Sequence, residues 1–242
     1  MKKHIIFLAV LFIKVTVFCQ EACTEDIWIK SFITNQDANL KNFSLQETET
    51  FNCSDLWVKN KDSYIGLIGK NKRRLFISFD SITRDKKNNF RYLVFGKTTV
   101  NKTTRIFNGV IEIEEICSFD NFSYGVDDWM KGKILDQGFI KGKYIFKESI
   151  KLSSTGIFEG SFITKWYINL KKQLIYDDVE NDFDSYSNNQ FIGVWKSYKT
   201  EKSKICSWGQ YRIPCSGDLD IGAAEFMPNP KYFKYGWENY KP

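Results

Sequence analysis

Five apolar runs occupy residues 75–79, 92–95, 106–116, 139–146 and 162–170, rich in β-branched and aromatic side chains with frequent polar alternation. The stretches at 85–89, 101–104 and 169–173 that punctuate them are short, polar and turn-like. Alternation with period two marks strands. Connections this short leave no room for the crossover helices that parallel strands need. The chain is therefore expected to be all-β: an antiparallel meander, open or barrel-like, with an irregular C-terminal segment. A helix is expected only within 35–50.

A motif of aromatic, any residue, glycine, any residue, apolar recurs as Tyr64-Ile65-Gly66-Leu67-Ile68, Phe107-Asn108-Gly109-Val110-Ile111, Phe158-Glu159-Gly160-Ser161-Phe162 and Phe191-Ile192-Gly193-Val194-Trp195. In a strand these alternate positions share one face, so each glycine leaves a gap that an aromatic ring from the next strand can cover. The motif starts are unevenly spaced, which excludes a fixed-period repeat array. Phe191-Ile192-Gly193-Val194-Trp195 resembles the core of a MORN repeat, and its Gly-Val-Trp resembles the calycin Gly-x-Trp signature. Both resemblances imply an antiparallel β meander.

The first nineteen residues read as an export signal. Lys2 and Lys3 precede an apolar run from 5 to 18 broken only by Lys14 and Thr16, and Val17 and Cys19 suit the −3 and −1 positions of a cleavage site. The run is short for a membrane span, which takes roughly 20 apolar residues. Residues 1–19 are thus expected to be a signal peptide and 20–242 a single all-β domain, and the mature protein is expected to be secreted or periplasmic with no integral membrane segment. Acylation at Cys19 is disfavoured because bulky Phe18 stands where a small residue is required. Cleavage removes His4, the chain's only histidine. Mechanisms built on a neutral-pH imidazole then lose their central part.

The formal charge of +6 falls to about +3 once Lys2, Lys3 and Lys14 are gone. That balance is too even for the basic stripe of a nucleic-acid binder. The densest positive cluster, Lys70, Lys72, Arg73 and Arg74, reads as a solvated hairpin tip. Cleavage also leaves five cysteines, Cys23, Cys53, Cys117, Cys206 and Cys215. A Cys206–Cys215 disulfide is expected because the eight intervening residues can turn back, with Cys23–Cys53 as a second candidate. Cys117, between Ile116 and Phe119, reads as a buried thiol.

Asp178, Glu180, Asp182 and Asp184 fall at alternate positions of an acidic stretch and could converge on calcium, although Phe183 stands where an EF-hand needs glycine. A solvated acidic loop is the plainer reading. No other cofactor is expected. Asp218, Asp220 and Glu225 form a second oxygen-rich stretch, open either to turn geometry or to the paired carboxylates of a glycosidase. Trp208, Tyr211, Trp237 and Tyr240 are candidate binding residues, since exposed rings stack on sugars or anchor interfaces. They could equally cover the end of the sheet as core. The C-terminal segment, together with Tyr64-Ile65-Gly66-Leu67-Ile68-Gly69, resembles uncharacterised secreted proteins of low-GC, Gram-negative bacteria, a resemblance that implies no activity.

No phosphate-binding glycine loop, Cys-x-x-Cys pair or Gly-x-Ser-x-Gly elbow is present. The expected function is that of an exported bacterial binding module for a glycan, a peptide or a protein. The alternatives are a carboxylate-dependent glycoside hydrolase-like enzyme and a periplasmic inhibitor or immunity protein.

Overall fold

The computed structural model of the chain describes residues 23–35, 41–42, 51–58 and 64–241. The expected signal peptide, its Cys19 and most of the expected 35–50 helix lie outside these residues. Ten strands form one antiparallel sheet: β1 (Lys41–Asn42), β2 (Tyr64–Ile68), β3 (Arg73–Asp85), β4 (Asn88–Val100), β5 (Thr103–Ser118), β6 (Ile134–Glu148), β7 (Gly156–Asn169), β8 (Leu174–Tyr176), β9 (Asn188–Ser197) and β10 (Ser203–Gln210). Strands β2 to β7 pair in chain order, β7 pairs with β9 and β9 with β10. Pairing of β10 with β2 then closes the meander into a ring. The expected all-β meander is what forms, and the five apolar runs lie in β3 to β7, with only Leu170 falling just past the end of its strand.

The interior is an aromatic stack. Phe79 meets Tyr64 at 5.3 Å, Phe146 at 5.7 Å and Phe107 at 6.3 Å, and Phe191 stacks on Trp208 at 5.1 Å. The glycine motif makes room for it. Gly66 lies opposite Trp208, Gly109 opposite Phe146 and Gly160 opposite Tyr144. A Cβ at Gly66 would stand 2.8 Å from the Trp208 Cβ, and one at Gly193 would stand 2.7 Å from the Tyr144 hydroxyl. Each fully buried ring contributes about 2–3 kcal/mol by removing apolar area from water.

Helix α2 (Ser54–Val58) plugs one end of the ring. Trp57 is fully buried there, edge-on to Tyr92 and Phe162, and donates its Nε1 hydrogen to Thr164 at 2.9 Å. Helix α1 (Glu25–Asn35) begins at Thr24, whose hydroxyl accepts from the Ile27 N–H. Trp28, Ile29, Phe32 and Ile33 recur at helical spacing and cover Cys117, Phe119, Phe139 and Ile163 on the outside of the sheet.

Past β10, the C-terminal segment folds into short 3₁₀ turns at Gly217–Leu219 and Pro230–Tyr235 and caps the outer face of β2. Leu67, Ile213, Leu219, Phe226 and Trp237 form its own small core.

The disulfide pairing departs from expectation. Cys215 bonds to Cys23, not to Cys206, and the bond ties α1 to the C-terminal cap. Cys206 points into the ring interior on the same face as Trp208, so its sulfur is turned away from Cys215; it remains a buried thiol outside the disulfide, as does Cys53, so neither the Cys206–Cys215 nor the Cys23–Cys53 bond forms, and Cys117 is buried as expected.

Candidate functional site

At the end of the ring opposite α2, the inward face changes from apolar to charged. Alternation sets which residues point inward. Leu75 and Phe107 are buried, so Arg73 and Arg105 two positions away share their phase, and Lys204 shares the phase of buried Cys206 and Trp208. The cross-strand register agrees: Arg73 faces Ile68, Arg105 faces Thr98 and Lys204 faces Trp195. Ile106 points outward and is 58% exposed, and Ile205, 60% exposed, lies at the rim of the cavity that Lys204 lines. Both strands therefore carry a cation on the phase of the buried residues beside an exposed isoleucine, against the hydrophobic preference.

These residues line a cavity of about 720 Å³, with Lys70 and Lys202 at the hairpin tips around it. Trp195 and Phe158 face each other at its base. Among the described residues, the one carboxylate in the lining is Glu148, on the last position of β6 and only 6% exposed. Its Oε1 accepts from the Thr98 hydroxyl at 2.9 Å, and its Oε2 accepts from the Gly156 N–H at 2.8 Å and from Trp195 Nε1 at 3.1 Å. Three donors from β4, β7 and β9 thus converge on one carboxylate, which satisfies its buried charge and fixes the indole.

The mouth cations differ from others on the surface. Lys97, Lys131, Lys141 and Arg212 pair with Asp80, Asp128, Glu115 and Asp220. Among the described residues, Lys70, Arg73, Arg105, Lys202 and Lys204 form no ion pair. Arg73 instead donates to the Asn101 side chain at 2.9 Å, and Arg105 donates to the Ser153 and Thr104 carbonyls. The Lys204 ammonium sits 4.9 Å over the Trp195 ring. Five cations, of which Arg73 and Arg105 are half-buried and Lys70, Lys202 and Lys204 exposed, gather around one engaged carboxylate and make a positive funnel suited to an anion.

The 70–74 cluster is thus a hairpin tip that divides its labour. Lys70 and Arg73 line the mouth, with the Arg73 guanidinium also 5.7 Å over the Tyr235 ring of the cap, while Lys72 bonds Asp218 and the Ser216 carbonyl. Arg74 lies over the rings of Phe76, Trp237 and Tyr240, and its guanidinium pKa is lowered by burial. Asp218 is held well below the usual carboxylate range by Lys231, Lys72 and Tyr232. Asp220 pairs with Arg212 and accepts from the Gly222 and Met227 N–H groups. These two carboxylates serve the cap's turn geometry.

The four aromatic candidates separate. Trp208 is fully buried in the ring, and Tyr211 stacks edge-on against Tyr186 at 4.8 Å. Trp237 and Tyr240 do come together, 6.1 Å apart, on an apolar groove of about 520 Å³ in the cap. Trp237 itself is buried and donates to the Lys72 carbonyl at 2.7 Å.

The acidic stretch does not converge either. Asp177 is buried and accepts from Gln137 and the Val179 N–H, Glu180 accepts from Ser123, and Asp182 and Asp184 are exposed. Asp178 is half-buried, and among the described residues no three His, Cys, Asp or Glu side chains form a metal-binding group. Burial raises the pKa of Asp177 and lowers that of its neighbour Lys165, whose ammonium lies 4.2 Å over Tyr186.

Comparison of the chain with protein-family models, with curated proteins and with solved structures gives no match. Among the described residues, no helix is long and apolar enough to cross a membrane.

Proposed function

We propose that this protein is an exported binding module whose cationic mouth takes an anionic ligand. The observation that carries the reading is that Arg73, Arg105 and Lys204 sit on the inward phase of their strands, line the cavity and have no carboxylate partner among the described residues, where alternation calls for apolar side chains. Unpaired charges in a concave site are stabilised by what binds there, and a cavity of this size falls in the range of about 300–1,000 Å³ typical of ligand clefts. Export to a secreted or periplasmic location is supported by the signal-like leader and by a disulfide, a bond that persists in oxidising compartments. For the hydrolase alternative, the described lining of the mouth holds Glu148 without a second carboxylate beside it. For the inhibitor alternative, Asp182 and Asp184 remain exposed, while Asp177 is buried and Glu180 is half-buried against Ser123.

A thermal-shift screen of residues 20–242 against anionic, neutral and cationic oligomers of matched length tests the proposal. Stabilisation by the anionic set alone is expected, because ligand that binds only the folded state raises the melting temperature. Stabilisation by neutral or cationic oligomers and by no anionic one would overturn it.

A further inference from the structure

Resting on the anionic-ligand reading, we propose that the ligand of the mouth is an acidic oligosaccharide, with its charged groups at the rim and a sugar ring against Trp195. The closed sheet argues against a peptide bound by strand addition. Every strand of the ring already has a neighbour on both sides, so the mouth offers no free edge for an extended backbone. Recognition must therefore come from side chains.

Those side chains suit a charged sugar. Asn71, Thr103, Ser154 and Ser203 place neutral hydrogen-bonding groups among the cations, matching the mixture of hydroxyls and acid groups on such a chain. Trp195 supplies a flat ring whose orientation is fixed from behind by Glu148. Lys204 covers that ring and is itself exposed. A uronate or sulfate at the rim draws the ammonium to itself, which bares the indole for the sugar that carries the charge.

Glu148 sets the polarity of the arrangement. Its carboxylate at the base disfavours an anionic group in the deepest part of the cavity, and its oxygens are taken up there by neutral donors from Thr98, Gly156 and Trp195. A compact anion such as phosphate would have to choose between the rim cations and the indole, whereas an oligosaccharide meets both.

Calorimetric titration distinguishes the outcomes. The probes are a tetrameric oligogalacturonate, its methyl ester, a sulfated glycosaminoglycan fragment and an oligoglutamate of matched charge. We expect binding of at least one acidic saccharide, at least roughly tenfold weaker binding of the ester, and weaker binding of the acidic saccharide to Lys204→Gln. The Trp195 indole N–H resonance, assigned with Trp195→Phe, should shift on saccharide addition. Binding of oligoglutamate without either saccharide would sink the saccharide assignment and leave the anion reading standing. Equal binding of the ester would sink the role of charge, and binding of none of the four would sink both readings.

Discussion

Replacing Glu148 separates its two roles, as a structural acceptor and as a negative charge in the mouth. In Glu148→Ala, the buried Gly156 N–H and Trp195 Nε1–H lose their acceptor, while the Thr98 hydroxyl can rotate to a new partner. An orphaned buried donor costs about 1–3 kcal/mol, so the two together cost about 2–6 kcal/mol. For a domain of this size each kcal/mol lowers Tm by about 2–4 °C, and a drop of about 10 °C is expected. Glu148→Gln can keep all three contacts: its carbonyl oxygen takes the place of Oε2, and its amide donates to the Thr98 hydroxyl. That variant should melt within a few degrees of wild type and bind an anionic oligomer more tightly, because the repelling charge at the base is gone. Differential scanning fluorimetry reads the first effect and calorimetric titration the second. Equal destabilisation by Ala and Gln would refute the hydrogen-bond account, and weaker anion binding by a well-folded Gln variant would refute the electrostatic one.

Alkaline stability should follow the buried acids of the ring. Burial pushes the Cys53 thiol up to about 11 and the Tyr92 hydroxyl up to about 12, so both favour the protonated folded state. Their contribution is complete below their unfolded values near 9 and 10 and is lost as pH rises through about 11 to 12, which urea unfolding across that range will follow. Cys215→Ser should lower Tm markedly, since the bond closes a loop with a sequence separation of 192 and the chain-entropy model assigns such loops up to about 5 kcal/mol. Cys206→Ser should leave the Cys23–Cys215 peptide intact in non-reducing mass mapping. Calcium and chelator should leave Tm unchanged, because Asp178, Glu180, Asp182 and Asp184 do not converge; a calcium shift abolished by Asp182→Asn would contradict that geometry.

Alternation made the strands and the glycine–aromatic packing legible, because each depends on neighbours close in the chain or directly across a hairpin. Ring closure was not, since β10 meets β2 from more than a hundred residues away and no local pattern encodes that pairing. Distance likewise hid the Cys23–Cys215 bond. Helix α1 carried a readable signal in Thr24 followed by Trp28, Ile29, Phe32 and Ile33, yet it lies before the segment where a helix was expected. The mouth too was written in the chain: in Arg105-Ile106-Phe107 and in Lys204-Ile205-Cys206-Ser207-Trp208, extending the phase of the buried rings puts the cation inside. Charge density alone marks 70–74 instead, and the same phase explains why Trp208 is core.

The most direct test compares two variants of equal net charge: Arg73→Gln/Arg105→Gln/Lys204→Gln in the mouth and Lys97→Gln/Lys131→Gln/Lys141→Gln on the outer surface. Each is titrated with whichever anionic oligomer wild type binds most tightly, at about 0.1 M and about 1 M salt, where the screening length falls from about 10 to about 3 Å. Only the mouth variant should lose binding, with wild type and the outer variant alike in affinity and in salt dependence. Equal loss in both variants would mean that overall positive charge, and not the inward cations of the ring, attracts the ligand.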